Sequence, residues 1–174
     1  MIVLMAGLPA SGKSTLCREL TARVSGTVLD KDKLRSALFG ERDIEYSIAQ
    51  DDLCVSILLE AAAFILEKDP SRVVFLDGRP FSHGYQIETV SKVATALKQE
   101  WRILECVCIE ETARKRLSEH QALREHPAAD RNYELYKRVK QQFEEIKLPK
   151  VIIDTDQALE ACIGLGLEAI SRTP

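Results

Sequence analysis

The sequence predicts an α/β fold built on a parallel sheet of five strands with helices on both faces. Three observations predict it. Short β-branched runs alternate with longer amphipathic stretches, the pattern of strands feeding crossover helices. Most of those runs are continuously apolar, as in strands covered on both faces. The 174 residues also fit one ordinary domain, spanning 1–174, because a second domain would be left with too little core.

The elements follow in order. Strands are predicted over 2–5, 27–29, 73–76, 103–109 and 151–153. Helices are signalled near 13–24, 33–39, 47–68, 82–98, 111–119, 131–146 and 157–171. Ser47 with Gln50 reads as a capping box, and Asp69-Pro70 as a helix stop. Ile87, Val90, Ala94 and Leu97 recur at a spacing that lets one helix face cover a sheet. The polar segment 121–130, broken by Pro127, reads as a mobile loop within the domain.

Composition excludes several classes. The chain is 45% hydrophobic and 29% charged, so it is neither a disordered tail nor a fibrous scaffold. A formal charge of −3 gives no global positive field to hold a polynucleotide along its backbone. The five cysteines (Cys17, Cys54, Cys106, Cys108, Cys162) are scattered, with no C-x-x-C pair, and read as reduced, buried thiols. Every apolar run is interrupted well before the roughly 18 residues a membrane span needs, and no signal-peptide pattern opens the chain. A soluble cytoplasmic protein with no membrane partner is expected.

Residues 7–14 carry the chemistry. Gly7-Leu8-Pro9-Ala10-Ser11-Gly12-Lys13-Ser14, followed by Thr15, matches G-x-x-x-x-G-K-[ST] and stands between a predicted strand and a predicted helix. Glycines let the backbone turn so that successive N–H groups and the helix N-terminus point at phosphate oxygens. Lys13 adds a point charge for the β and γ phosphates, and the Ser14 hydroxyl suits Mg²⁺. The guanine-reading N/T-K-x-D and the D-x-x-G switch motif are missing, which favours ATP. Val73-Val74-Phe75-Leu76-Asp77 ends an apolar strand on an acid, the pattern of an outer-shell Mg²⁺ carboxylate; an acid there also suits a turn cap.

Asp30-Lys31-Asp32-Lys33-Leu34-Arg35 follows the second strand, with Arg35 one helical turn beyond Asp32. Loops at the carboxyl ends of parallel strands share a crevice, so an acid here can lie near the phosphate cradle. Asp32 would accept the proton of an attacking hydroxyl while Arg35 fixes it or a substrate phosphate. A helix-capping role stays open for either acid, more so for Asp30. His83 sits in a loop at the same crevice, and Trp101 reads as packing at a strand start.

With GLPASGKST after a strand, Asp32 and Arg35 as D-x-x-R, Asp77-Gly78 and a basic segment beyond, the chain resembles the small P-loop kinases related to bacteriophage polynucleotide 5′-hydroxyl kinase and zeta-toxin-type sugar kinases, an ATP-binding family of the AAA_33 type. The resemblance runs from Met1 to about Asp156. It implies a three-layer nucleoside-kinase-like fold with strand order 2-3-1-4-5 and a helical lid at about 111–135. It also implies transfer of the γ-phosphate of ATP to a hydroxyl of a small molecule, a sugar derivative or a nucleic-acid 5′ end, with Asp32 as base and Arg35 near the acceptor. Asp154-Thr155-Asp156 would lie beside the adenine. In the lid, 111–140 holds eight Lys and Arg against five acids. Arg116 and Arg124, then Arg131, are the candidates to stabilise the transferring phosphoryl group, with Arg116 also touching the nucleotide; a solvated basic face is the plain alternative. A second function class is an NTPase switch or assembly factor with no acceptor. It would need a water-positioning Gln or Glu after Asp77, where the chain has Gly78-Arg79-Pro80.

Overall fold

Five of the chain's apolar runs pair into one parallel sheet because each carries more apolar surface than a solvated strand could hold. In the computed structural model, which describes residues 1–123 and 132–171, the strands are β1 (Ile2–Ala6), β2 (Gly26–Asp30), β3 (Val73–Asp77), β4 (Trp101–Val107) and β5 (Val151–Asp154). Their order is β2-β3-β1-β4-β5, the order the resemblance implies. The helices are α1 (Lys13–Thr21), α2 (Lys31–Leu38), α3 (Ile48–Lys68), α4 (Gly84–Ala96), α5 (Glu110–Leu123), α6 (Tyr133–Gln142) and α7 (Leu159–Ser171).

The central strand β1 is wholly buried and divides its side chains by the two-residue period of a strand. Ile2 and Leu4 join Leu59, Ala62 and Leu66 of α3 and Ile87, Val90 and Ala94 of α4. Val3 and Met5 join Leu16 and Leu20 of α1 and Cys162 and Ile163 of α7 on the other face. Trp101 packs at the rim of the first core and opens β4. The five cysteines carry free thiols, and four are buried. Among the described residues no helix is long and apolar enough to cross a membrane.

Several boundaries differ from the sequence expectation for local reasons. β4 lies two residues earlier than 103–109, because Trp101 and Arg102 pair with Ile2 and Val3, while Ile109 N–H leaves the ladder to bond Asp156 Oδ2 at 2.6 Å. α2 starts at Lys31, not 33, because Asp30 at the end of β2 caps it, Oδ1 accepting from the N–H groups of Asp32 (2.9 Å) and Lys33 (3.2 Å). Only half of the capping box at α3 forms. Ser47 Oγ accepts from Gln50 N–H at 3.1 Å, but the Gln50 amide turns to the Glu45 N–H and the Asp43 carbonyl. α5 runs on to Leu123, beyond the expected 119. α6 covers less than 131–146: Asn132 caps its start through Leu135 N–H, and after Phe143 the chain extends so that Glu144 N–H bonds Ser82 O at 2.8 Å. Residues 121–123 of the expected loop end α5, and its remaining residues 124–130 lie outside the described residues, as do Arg124 and Arg131.

Candidate active site

The loop from Gly7 to Gly12 joins β1 to α1 at the carboxyl edge of the sheet. Gly7 has φ +129°, and a Cβ there would stand 2.2 Å from the Cys106 carbonyl oxygen, so only glycine lets the loop approach β4 this closely. Gly12 caps α1 in the left-handed region with no side-chain hydrogen bond, and the first turn of α1 has no acid. The N–H groups and positive dipole end of the helix therefore face the loop. Lys13 lies folded over this cradle, its Nζ donating to Gly7 O (2.8 Å) and Leu8 O (2.7 Å). Ser14 and Thr15 are exposed at its mouth.

A cavity of about 930 Å³ opens from the cradle, walled by Ala10, Lys13, Ser14, Asp77, Arg116 and Thr155 among others. Arg116, on α5, is anchored there: Nη1 donates to Ala10 O (3.2 Å) and Thr155 Oγ1 (3.0 Å), and Nη2 to Thr155 O (2.8 Å). It is thus anchored in the cavity wall, at a position the sequence reading assigns to a lid arginine. Thr155 also donates to Ser11 O at 3.0 Å, bracing the β5–α7 turn against the loop.

Asp77 ends β3 in register with Asp30 of β2. It is 3% exposed, and its Oδ1 accepts no hydrogen bond from the described residues. A buried carboxylate oxygen without a partner among the described residues, lining the same cavity as the exposed Ser14, fits a hard divalent cation. Among the described residues no group of three or more His, Cys, Asp or Glu could hold a metal. Burial, together with the charges of Asp77 and Asp32, pushes the Asp30 carboxyl up despite its capping hydrogen bonds.

On the other side of Lys13 and Ser14 lies a smaller pocket of about 140 Å³. Asp32 and Arg35 both line it. Arg35 is buried; its Nη1 donates to Asp32 Oδ1 at 3.1 Å, its Nη2 to Asp51 of α3, and its guanidinium lies 5.0 Å from the Tyr46 ring centre. Lys31 Nζ joins Asp32 (3.1 Å) to Asp51 (2.8 Å), and burial holds its ammonium below the usual lysine range against the opposing pull of Asp32. Across the pocket, buried Arg79 donates through Nη2 to Asp52 Oδ1 at 2.6 Å. Leu135 and Val139 of α6 form an apolar wall. The region read as a lid thus divides its described parts between the two cavities.

Lys31, Asp51, Asp52 and Arg79 were invisible to the spacing argument. The one usable signal for Arg79 was its place two residues after the acid ending β3; Asp51 and Asp52 are distant in sequence and meet the site only through the packing of α3. His83, the N-cap residue of α4, pairs through Nδ1 with Glu144 at 3.0 Å and stacks on Tyr85, and it does not itself line either cavity.

Fold and site together define a P-loop nucleotide-binding protein with a kinase-type sheet order. Residues 2–146 match the AAA_33 family, described as an AAA domain, and the chain belongs to that family. No curated protein matches it significantly. Among solved structures it is similar to a candidate kinase of Chloroflexus aurantiacus J-10-fl, at 20% identity over 97% of each chain with a TM-score of 0.74. The APS kinase CysC of Mycobacterium tuberculosis in complex with AMPPNP and APS is similar at 18% identity over 98% of this chain and 97% of that one, TM-score 0.72. A gluconokinase from Sinorhizobium meliloti 1021 is similar at 14% identity over 98% and 91%, TM-score 0.70. At such identities the likeness is one of fold.

Proposed function

We propose that the protein is an ATP- and Mg²⁺-dependent phosphotransferase that moves the γ-phosphate of ATP to the hydroxyl of a small acceptor. One observation carries this reading: the 930 Å³ cavity and the 140 Å³ pocket share Lys13, Ser14 and Asp30 as a common wall, with Asp32 on the far side. ATP in the larger cavity would bring its γ-phosphate to that wall, and an acceptor in the smaller pocket would meet it there.

In this reading the N–H groups of the 7–12 loop and Lys13 hold the β and γ phosphates, and Arg116 and Thr155 border the nucleotide. Ser14 and Asp77 would hold Mg²⁺, which supplies charge neutralisation across the phosphates. Asp32, oriented by Lys31 and Arg35, accepts the proton as the acceptor O–H breaks. The acceptor oxygen bonds to the γ-phosphorus, and the bond from that phosphorus to the β–γ bridging oxygen breaks, leaving ADP. Lys13, at the shared wall, faces the charge that develops on the transferring group.

The switch reading gives the pocket around Asp32 nothing to do. Turnover of labelled ATP with and without a panel of sugars, polyols, nucleosides and 5′-hydroxyl oligonucleotides separates the two. Label moving to an acceptor supports the kinase; acceptor-independent release of phosphate alone would refute it.

A further inference from the structure

The helix that walls the acceptor pocket has a second face over a third cavity. Leu135 and Val139 of α6 line the 140 Å³ pocket, whereas Tyr136 and Lys140, with Phe143 just after the helix, line a separate cavity of about 270 Å³. The opposite wall of this cavity is the flank of the phosphate loop, Leu8 and Ser11, with Val107 and Cys108 at the end of β4. None of these residues lines the nucleotide cavity or the acceptor pocket, so a molecule held here leaves both of those sites open.

Ser11 sets the chemistry of the ligand. It is 2% exposed, and its Oγ has no hydrogen-bond partner among the described residues, although its backbone N–H donates to Leu8 O at 3.2 Å and its carbonyl accepts from Thr155 at 3.0 Å. The hydroxyl lies on the flank of the loop turned to this cavity: a Cβ on Gly7, which also lines it, would stand 2.8 Å from Oγ. A buried hydroxyl without a protein partner beside a cavity is matched by a ligand group that donates to it or accepts from it. The two charged side chains at the cavity are already paired, Glu105 with Lys150 at 2.6 Å and Lys140 with Glu110 at 2.6 Å, so a charged ligand would lose its water for no new partner among them. The remaining wall is Leu8, Val107, the half-buried Cys108 thiol and the rings of Tyr136 and Phe143, a surface that suits an aromatic ring through ring–ring and sulfur–ring contacts. An apolar cavity of about 150 Å³ holds a benzene, so 270 Å³ suits one ring or two fused rings.

We propose that this cavity is an effector site for an uncharged aromatic molecule of one or two fused rings with a single hydrogen-bonding group, which pairs with the Ser11 hydroxyl while the ring packs against Tyr136 and Phe143. Such a ligand touches the phosphate loop on one side and, on the other, the helix whose Leu135 and Val139 wall the acceptor pocket, so its binding is coupled to that of nucleotide whatever reaction follows. The test is saturation-transfer NMR on the full chain with phenol, indole and 2-naphthol as probes and toluene, benzoate and benzylamine as controls, each with and without Mg²⁺-AMPPNP. At least one probe binds, toluene binds about threefold to tenfold more weakly than phenol, and the two charged controls give no transfer. Mg²⁺-AMPPNP shifts the affinity of the bound probe by about twofold or more without displacing it. Ser11→Ala weakens phenol by about threefold to tenfold, the effect of losing one hydrogen bond, and leaves toluene unchanged. Val107→Phe fills the cavity and abolishes binding of every probe. If Val107→Phe fails to fold, seen as lost AMPPNP binding, the wild type locates the site instead: Cys108 is the one thiol of the five that is not buried, and saturating probe slows its alkylation by iodoacetamide. Binding of no probe, preference for a charged control, equal phenol affinity in wild type and Ser11→Ala, or unchanged Cys108 alkylation overturns the site. Displacement of the probe by AMPPNP, or identical probe affinity with and without it, overturns the effector role.

Discussion

Replacing Asp77 by Asn is expected to make the nucleotide-free protein more stable and its Mg²⁺-nucleotide complex weaker. The carboxylate is 3% exposed, its Oδ1 accepts no hydrogen bond from the described residues, and it stands in register with Asp30 on the adjacent strand. A buried acceptor without a partner costs about 1–3 kcal/mol, and an Asn of the same shape removes the charge and places an amide beside the Asp30 carboxyl. A gain of about 1 kcal/mol corresponds to about 2–4 °C in melting temperature for a chain of this size. The gain depends on pH through Asp30, whose carboxyl is raised by burial and then by the charges of Asp77 and Asp32. For an acid with a raised folded pKa, the stabilising contribution is fully present below the ordinary carboxylate value and is lost as pH rises through the raised one. The advantage of Asp77→Asn therefore grows as pH rises through the raised Asp30 value and fades in acid. Thermal unfolding from neutral pH down to pH 4, with and without Mg²⁺-AMPPNP, reads both effects. A variant that melts at or below the wild type at neutral pH without nucleotide would refute the reasoning, as would undiminished stabilisation by Mg²⁺-AMPPNP.

Lys13→Ala should abolish transfer while the protein still folds; near-normal turnover at saturating ATP would remove the cradle from the mechanism. Asp32→Asn should slow transfer by about 10² to 10⁴ with nucleotide affinity little changed, measured by single-turnover kinetics, and a larger loss at Asp30→Asn would exchange the roles of the two acids. Asp30 separates by a stability assay as well. Asp30→Ala loses the α2 cap and about 1 kcal/mol, whereas Asp30→Asn keeps an acceptor for the Asp32 and Lys33 N–H groups, so equal melting of the two variants would contradict the cap. Arg116→Ala should raise the KM for ATP by about tenfold and change kcat less, because its three hydrogen bonds hold the wall of the nucleotide cavity; a fall in kcat alone would instead place it at the transferring phosphoryl group.

Much of the nucleotide side is local in sequence, and for that reason legible there. Gly7 to Ser14 form one turn between one strand and one helix, so spacing alone dictates how their backbone faces a phosphate, and Asp77 follows from the apolar run that it ends. The continuity of the apolar runs likewise identified the parallel sheet, because a strand buried on both faces has no polar side to alternate with. Boundaries slipped where one side chain decides them: Asp30, at the end of β2, starts α2 two residues early, and Asp156, from a distant segment, draws Ile109 out of β4. The acceptor side is of a different kind. Asp32 and Arg35 were visible as one helical turn, but Asp51, 16 to 19 residues further along the chain, meets them only because α3 packs against α2, and Arg79, 44 to 47 residues away, reaches the same pocket from the loop after β3. Arg116 shows the same division, since charge marks it in the sequence while its contacts to Ala10 and Thr155 exist only once β4 and β5 lie beside the loop. Sequence periodicity records which residues share a face of one element, and the meeting of faces from different elements is settled by packing.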